Sequence, residues 1–239
     1  MTALRCSDNY FSAATVVCRV RTYISPIGFD TRRVTRPVVS TGIDRDDEIV
    51  LLRPGEESDT DLAVQAVAEF EDLLQEIEPN ATCTVSRIST TSFESTVRDC
   101  CEIIETREGH DELIVSLGGG PRDILLPLTV ATLVYVRAVD HTVFVSDIDE
   151  EVHEWTLPDL TTRIPSRTGP TFDALVEGEG WQTLSEIVRE TEQSKPTVIR
   201  HVNDLEQAGV VESDTSQKAK RVRIGFSGDL RAFSRAAVE

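Results

Sequence analysis

Lysine is almost missing from this 239-residue chain: of 24 basic residues only Lys195, Lys218 and Lys220 are lysines, and the other 21 are arginines. Against them stand 42 Asp and Glu, for a formal net charge of −18. Abundant carboxylates with scarce lysine point to a halophilic protein, in which a dense acidic surface keeps the chain solvated. The acids are scattered through every segment instead of forming one tail, which favours that reading over an ordinary acidic protein with a basic ligand. Long apolar runs are also missing. No stretch approaches the ~18 residues of a spanning helix, and Ala13–Cys18, ahead of Arg19, is too short for the apolar core of a signal peptide. A soluble cytoplasmic protein with no membrane partner is expected.

Cysteine is scarce and unpatterned. Cys6, Cys18, Cys83, Cys100 and Cys101 are odd in number and contain no C-x-x-C, so a disulfide framework is excluded. His110, His141, His153 and His201 show no H-x-x-x-H spacing, so no metal site and no metal cofactor are expected. Val97, Cys100, Cys101 and Ile104 read as the buried face of a helix, which makes the paired cysteines packing residues.

What is present falls into two regions. Residues 1–165 carry 30 acids and 14 bases, a net of −16; residues 166–239 carry 12 acids and 10 bases, a net of −2. All three lysines lie in the second region. Residues 1–18 have no period and are read as an N-terminal tail. From 19 to 157, short apolar runs alternate with amphipathic stretches. Cys18–Ile24, Ile49–Leu52, Thr82–Ile88, Leu113–Leu117, Thr142–Asp147 and Val152–Leu157 read as strands, the last two as a hairpin around Asp149-Glu150. Asp30–Ser40, Leu62–Ile77, Phe93–Arg107 and Arg122–Arg137 read as helices. Such alternation implies β-α-β units on a mainly parallel sheet covered on both faces, an α/β Rossmann-like fold. Helix 122–137 is apolar nearly all round and is expected in a homodimer contact. Residues 158–169, rich in Pro, Ser and Thr, are the expected linker to a second domain at 170–239.

Two loops stand at carboxyl ends of strands, the edge where open parallel sheets gather ligands. One is Ser25-Pro26-Ile27-Gly28-Phe29; the other is Gly118-Gly119-Gly120-Pro121-Arg122. Glycines allow close backbone approach, free amides at a helix start favour an anion, and Arg122 adds a fork suited to phosphate. Neither a Walker A motif nor the G-x-G-x-x-G fingerprint is present. An anionic, nucleotide-like ligand is expected. No Ser-His-Asp order or paired carboxylates stand out, so no catalytic residue is assigned and binding is favoured over catalysis.

The second domain reads as a winged helix-turn-helix. Helix 183–190 and a short turn precede a second helix capped by Ser194 and ending at Gly209. Ile199, Val202, Leu205 and Glu206 are read as its inner side, and Thr197, Arg200, His201 and Asp204 as the side offered to the major groove. Lys218, Lys220, Arg221 and Arg223 then stud a hairpin strand, the wing. Double-stranded DNA is the expected partner, through Ser194, Lys195, Thr197, Arg200, His201 and these four wing residues.

The order of these features resembles the archaeal CRISPR-associated transcriptional regulators that join a CARF domain (CRISPR-associated Rossmann fold) to a C-terminal winged helix. Ser25–Phe29 and Val115–Arg122 carry the resemblance, with the winged helix behind them. It implies a homodimer whose paired CARF domains bind a cyclic oligoadenylate, commonly cyclic tetra-adenylate, in a two-fold pocket lined by Ile27-Gly28-Phe29 and Gly118–Arg122. Leu117-Gly118-Gly119-Gly120 stands where the family usually has a Thr-Gly-Gly-like run, so one hydroxyl contact has no counterpart. A ligand-responsive regulator is the expected function. A ring nuclease that degrades the cyclic nucleotide, or a winged-helix regulator of another metabolite, are the competing readings.

Overall fold

The computed structural model of the protein describes residues 19–55, 60–217 and 219–236. The expected tail at 1–18 and the wing residue Lys218 lie outside the described residues. The first half is a six-stranded sheet in the order β3-β2-β1-β4-β5-β6. Its strands are β1 (Arg21–Pro26), β2 (Glu48–Pro54), β3 (Thr82–Ile88), β4 (Glu112–Ser116), β5 (His141–Val145) and β6 (Val152–Glu154). Neighbours pair in parallel except the β5–β6 hairpin. Four helices connect them: α1 (Arg32–Thr41), α2 (Asp61–Ile77), α3 (Phe93–Glu105) and α4 (Arg122–Val134).

Alternation along the buried strands sorts the core into two layers. Ile24, Val50, Leu52, Leu113 and Val115 pack with Cys100 and Ile104 of α3 and Ile124 and Leu128 of α4. Tyr23, Ile49, Leu51 and Ile114 face Val34 and Val38 of α1 and Phe70 of α2. Burial pushes the Cys100 thiol up to about 12, as a packing residue requires. Local chemistry sets the helix starts. Thr60 Oγ1 accepts from the Ala63 amide at 3.3 Å, and Ser92 forms a capping box with Ser95. The chain visits β1, β2 and β3 on one side before returning to β4 beside β1. The reversal of strand order therefore falls between β1 and β4, where a crevice opens at the carboxyl edge.

The second half contains α5 (Gly169–Glu177), β7 (Gln182–Thr183), α6 (Leu184–Thr191), α7 (Lys195–Gln207), β8 (Val211–Asp214), β9 (Arg221–Ile224) and α8 (Phe226–Ala236). Its three strands form a small antiparallel sheet in the order β7-β9-β8. Phe172, Ile187, Val198, Val202, Leu205 and Val222 form its core. The segment between the halves is packed against the winged helix: Asp159 and Thr162 are buried, and Ile164 packs on that core. No helix among the described residues is long and apolar enough to cross a membrane.

Candidate functional site

The β1 and β4 loops meet at the reversal point. β1 runs two residues further than its apolar run indicated, because Ser25 and Pro26 still pair with Leu51 and Leu52 of β2. Ser25 is buried in the strand with its hydroxyl turned to the Pro26 carbonyl at 3.4 Å. Ser25 and Pro26 therefore do not line the crevice; they support the loop that does. That loop, Ile27-Gly28-Phe29, faces Gly118-Gly119-Gly120-Pro121-Arg122 across a cavity of about 480 Å³, within the usual range for small-ligand sites.

Close packing explains the triple glycine. A Cβ on Gly118 would stand 2.6 Å from the Val145 amide nitrogen of β5. Gly120 has φ +76°, and its Cβ would stand 2.6 Å from Pro26 Cβ and 2.9 Å from the Pro26 carbonyl carbon. Glycine thus lets the β4 loop lie directly on β1 and β5. Pro121 then occupies the N-cap of α4 without a side-chain capping bond, which leaves the first amides of the helix to a ligand or solvent. Arg122 is exposed at this point.

Sequence reasoning missed the charged residues from neighbouring elements. Arg33, on the first turn of α1, donates from Nη1 to the carbonyls of Gly118 at 3.2 Å and Val145 at 3.3 Å, and pairs through Nη2 with Asp147. Arg53, at the end of β2, is 3% exposed and donates to the Ala63 carbonyl at 2.8 Å. Arg33, Arg53, Asp30 and Asp147 all line the cavity. A side-chain hydrogen bond from Arg32 holds the Asp30 carboxyl below its usual range. Their common signal was position: each lies at or beyond the carboxyl end of a strand on the same edge. The site combines an apolar wall (Ile27, Leu125, Ala63) with arginines and free amides, and none of the four histidines lines it. Ser116 is buried at the end of β4 with no hydrogen-bond partner for its hydroxyl among the described residues. No group of three or more metal-ligating side chains occurs among the described residues.

In the winged helix, Ser194 caps α7 by accepting from the Thr197 amide at 3.3 Å, and its hydroxyl lies 2.8 Å from the Thr197 hydroxyl. The inner face of α7 is Val198, His201, Val202 and Leu205. This corrects the expected face by about one residue. His201 is 3% exposed, with Nδ1 3.0 Å from Thr171 Oγ1 of α5, so it belongs to the core and does not reach DNA. Burial, with Arg200 nearby, lowers its pKa. Ile199 turns outward instead, beside exposed Lys195, Arg200 and Asn203. The wing is basic, but each of its described cations is paired, one of them with α7. Lys220 pairs with Glu206 at 2.7 Å, Arg221 with Asp214 at 2.5 Å, and Arg223 with Glu212 at 2.6 Å. The Arg221 and Arg223 guanidiniums also lie 5.7 and 4.6 Å from the centre of the Trp181 ring.

A Rossmann-like domain with a crevice at its carboxyl edge is followed by a winged helix. The known families agree. Residues 21–156 match the family described as Csa3 CRISPR-associated Rossmann-like domain, and the chain belongs to that family. Residues 173–213 match the helix-turn-helix of the bacterial regulatory protein, arsR family. The architecture joins a CRISPR-associated Rossmann-like domain to a helix-turn-helix of a bacterial regulatory family. No curated protein matches the chain. Solved structures with a similar fold include Enterococcus italicus Csm6 bound to cyclic hexa-2'-fluoro-hexa-dAMP, at 11% identity and a TM-score of 0.47 over 80% of this chain and 56% of that one. Another is protein VC1899 from Vibrio cholerae, at 11% identity and a TM-score of 0.41 over 89% of this chain and 64% of that one. This chain thus spans less than two thirds of either neighbour.

Proposed function

We propose that the protein is a ligand-responsive transcriptional regulator of a CRISPR-Cas system, sensing a cyclic oligoadenylate with its Rossmann-like domains in a homodimer. The carrying observation is the junction of Ile27-Gly28-Phe29 with Gly118–Arg122 at the strand-order reversal, where Arg33, Arg53, Arg122 and the α4 amides surround one cavity. Phosphodiesters match the arginines and amides; adenine rings match the apolar wall and exposed Phe29. Cyclic tetra-adenylate is the ring size the family resemblance implies, and, as an even-membered ring, it can sit on the two-fold axis of a dimer.

The dimer reading rests on α4. Leu126, Val130 and Val134 are 57%, 37% and 50% exposed at four-residue spacing, a single apolar stripe on the helix that starts at the cavity. The DNA-reading face we assign to Ser194, Lys195, Thr197, Ile199, Arg200 and Asn203, with Lys220, Arg221 and Arg223 on the wing.

Calorimetric titration of cyclic tetra-adenylate into wild type and Arg122→Ala, in high-salt buffer, tests the sensor. One ligand per dimer with weaker binding in the variant is expected. No heat and no thermal stabilisation by any ring size, with the protein folded and dimeric, overturns it.

A further inference from the structure

We propose that Arg137 is the positioning residue through which the ligand site addresses the recognition helix. It lies in the turn just after α4, the helix that begins at the cavity. Its guanidinium fastens three parts of the chain: Nε donates to Asp159 Oδ2 at 2.6 Å, and Nη2 to Thr162 Oγ1 at 3.2 Å and to the Ala208 carbonyl at 3.4 Å. Ala208 is the C-cap of α7. Thr162 Oγ1 donates to the same carbonyl at 2.6 Å. Asp159 is held in turn: its Oδ1 accepts from the amides of Thr161 and Thr162 and the Thr161 hydroxyl, and its own amide donates to Ser227 of α8 at 3.0 Å.

The placement gives this cluster its meaning. α4 is 13 residues long, a rod of roughly 20 Å. Arg122 stands at one end beside the cavity, and Arg137 lies just past the other, bonded to the end of the DNA-reading helix. A carbonyl at a helix C-terminus is left without an intrahelical donor, so a guanidinium there both satisfies the backbone and complements the helix dipole. Because Asp159 and Thr162 bind Arg137 and Ala208 together, a shift of α4 moves the C-terminus of α7 with it. A loose linker would dissipate that shift; a segment anchored by the buried, hydrogen-bonded Asp159 and Thr162 does not.

The inference rests on the sensing proposal, and one set of measurements separates the two. DNA affinity is measured with and without cyclic tetra-adenylate for full-length wild type and Arg137→Gln, together with ligand affinity and hydrogen exchange at the α7 C-terminus. In wild type the ligand is expected to change DNA affinity ~5- to 150-fold. In R137Q that ratio falls below ~3-fold, against the same range, while ligand affinity is retained and exchange near Ala208 rises. A folded R137Q that keeps the wild-type ratio overturns the inference and leaves sensing intact. A wild type that binds no ligand overturns sensing; unchanged exchange near Ala208 in R137Q then overturns the clasp as well. If R137Q does not fold, Thr162→Val, which keeps the Arg137–Asp159 pair but loses the Thr162 bonds to Arg137 and Ala208, must lower the ratio in the same direction.

Discussion

Gly120→Ala tests the glycine loop directly. The substitution adds one methyl group to a residue at φ +76°, aimed 2.6 Å from Pro26 Cβ and 2.9 Å from the Pro26 carbonyl carbon. A left-handed conformation costs an L-residue roughly 1–2 kcal/mol. The overlap adds a packing cost of ~1–3 kcal/mol, and Pro26 cannot swing aside because its ring is locked into β1. The sum, ~2–5 kcal/mol, corresponds to a Tm lower by roughly 8–20 °C at ~4 °C per kcal/mol for a domain of this size. Gly109→Ala is the control. Its φ is +91°, yet a Cβ there meets nothing within 4 Å, so conformational cost alone applies, ~1–2 kcal/mol or roughly 4–8 °C. Scanning calorimetry of both variants measures the difference, and ligand titration shows whether the loosened loop loses its site. Equal destabilisation by the two substitutions would refute the close loop-to-loop packing on which the site is built.

Other consequences concern the interface, the wing and the buried histidine. Leu126→Glu places a charge in the exposed α4 stripe and is expected to convert a dimer to a monomer by sedimentation; an unchanged dimer removes α4 from the interface. Glu212→Gln releases Arg223 from a 2.6 Å pair, and the freed guanidinium adds up to one phosphate contact, steepening the log–log salt slope of DNA binding by as much as ~0.9. An unaltered slope shows that Arg223 stays on Trp181 and does not reach DNA. The lowered pKa of His201 means the unfolded winged helix takes up a proton before the folded one. Stability is therefore full above pH ~6.5 and is lost as pH falls toward the folded value. In His201→Gln that acid-side loss flattens; parallel pH profiles would contradict a buried neutral imidazole.

Much of this was legible in the sequence because the signals were periodic or conformational. Continuous apolar runs located the strands, and the Gly-Gly-Gly-Pro loop and its partner after β1 indicated where a crevice forms. Residues whose role depends on tertiary neighbours were not legible. Arg33 looks like part of a polar helix until Gly118 and Val145 are seen to end beside it. Arg53 looks like a strand stop. The inner face of α7 was misplaced because Ile199 and His201 invert the usual rule: the apolar residue is outside, and the polar one is buried against Thr171. Hydrophobicity alone rotates such a helix the wrong way. α8 was missed altogether, since its two phenylalanines, Phe226 and Phe233, are exposed. The packing of the segment between the halves was not legible, because Asp159 and Thr162 become structural only through Arg137 and Ala208.

The charge pattern acquires a different sense in the folded chain. Clustered wing bases would ordinarily supply long-range attraction to DNA, but each described wing cation has a carboxylate within hydrogen-bond distance. Salt erodes such an attraction in any case, with a Debye length of only ~3 Å at 1 M. Contact pairs and apolar contacts survive that screening far better. Exposed Ile199 on α7 suits a thymine methyl, and neighbouring Arg200 and Asn203 suit guanine and adenine edges in the major groove. In the DNA-reading role we propose, the winged helix discriminates by fit more than it attracts by field. A reader of that kind responds strongly to orientation, since base-edge contacts are lost with small displacements that phosphate attraction would tolerate. If the cavity binds the ligand we propose, fastening the C-terminus of α7 through Arg137 to the helix that begins there gives small movements their greatest effect on DNA binding.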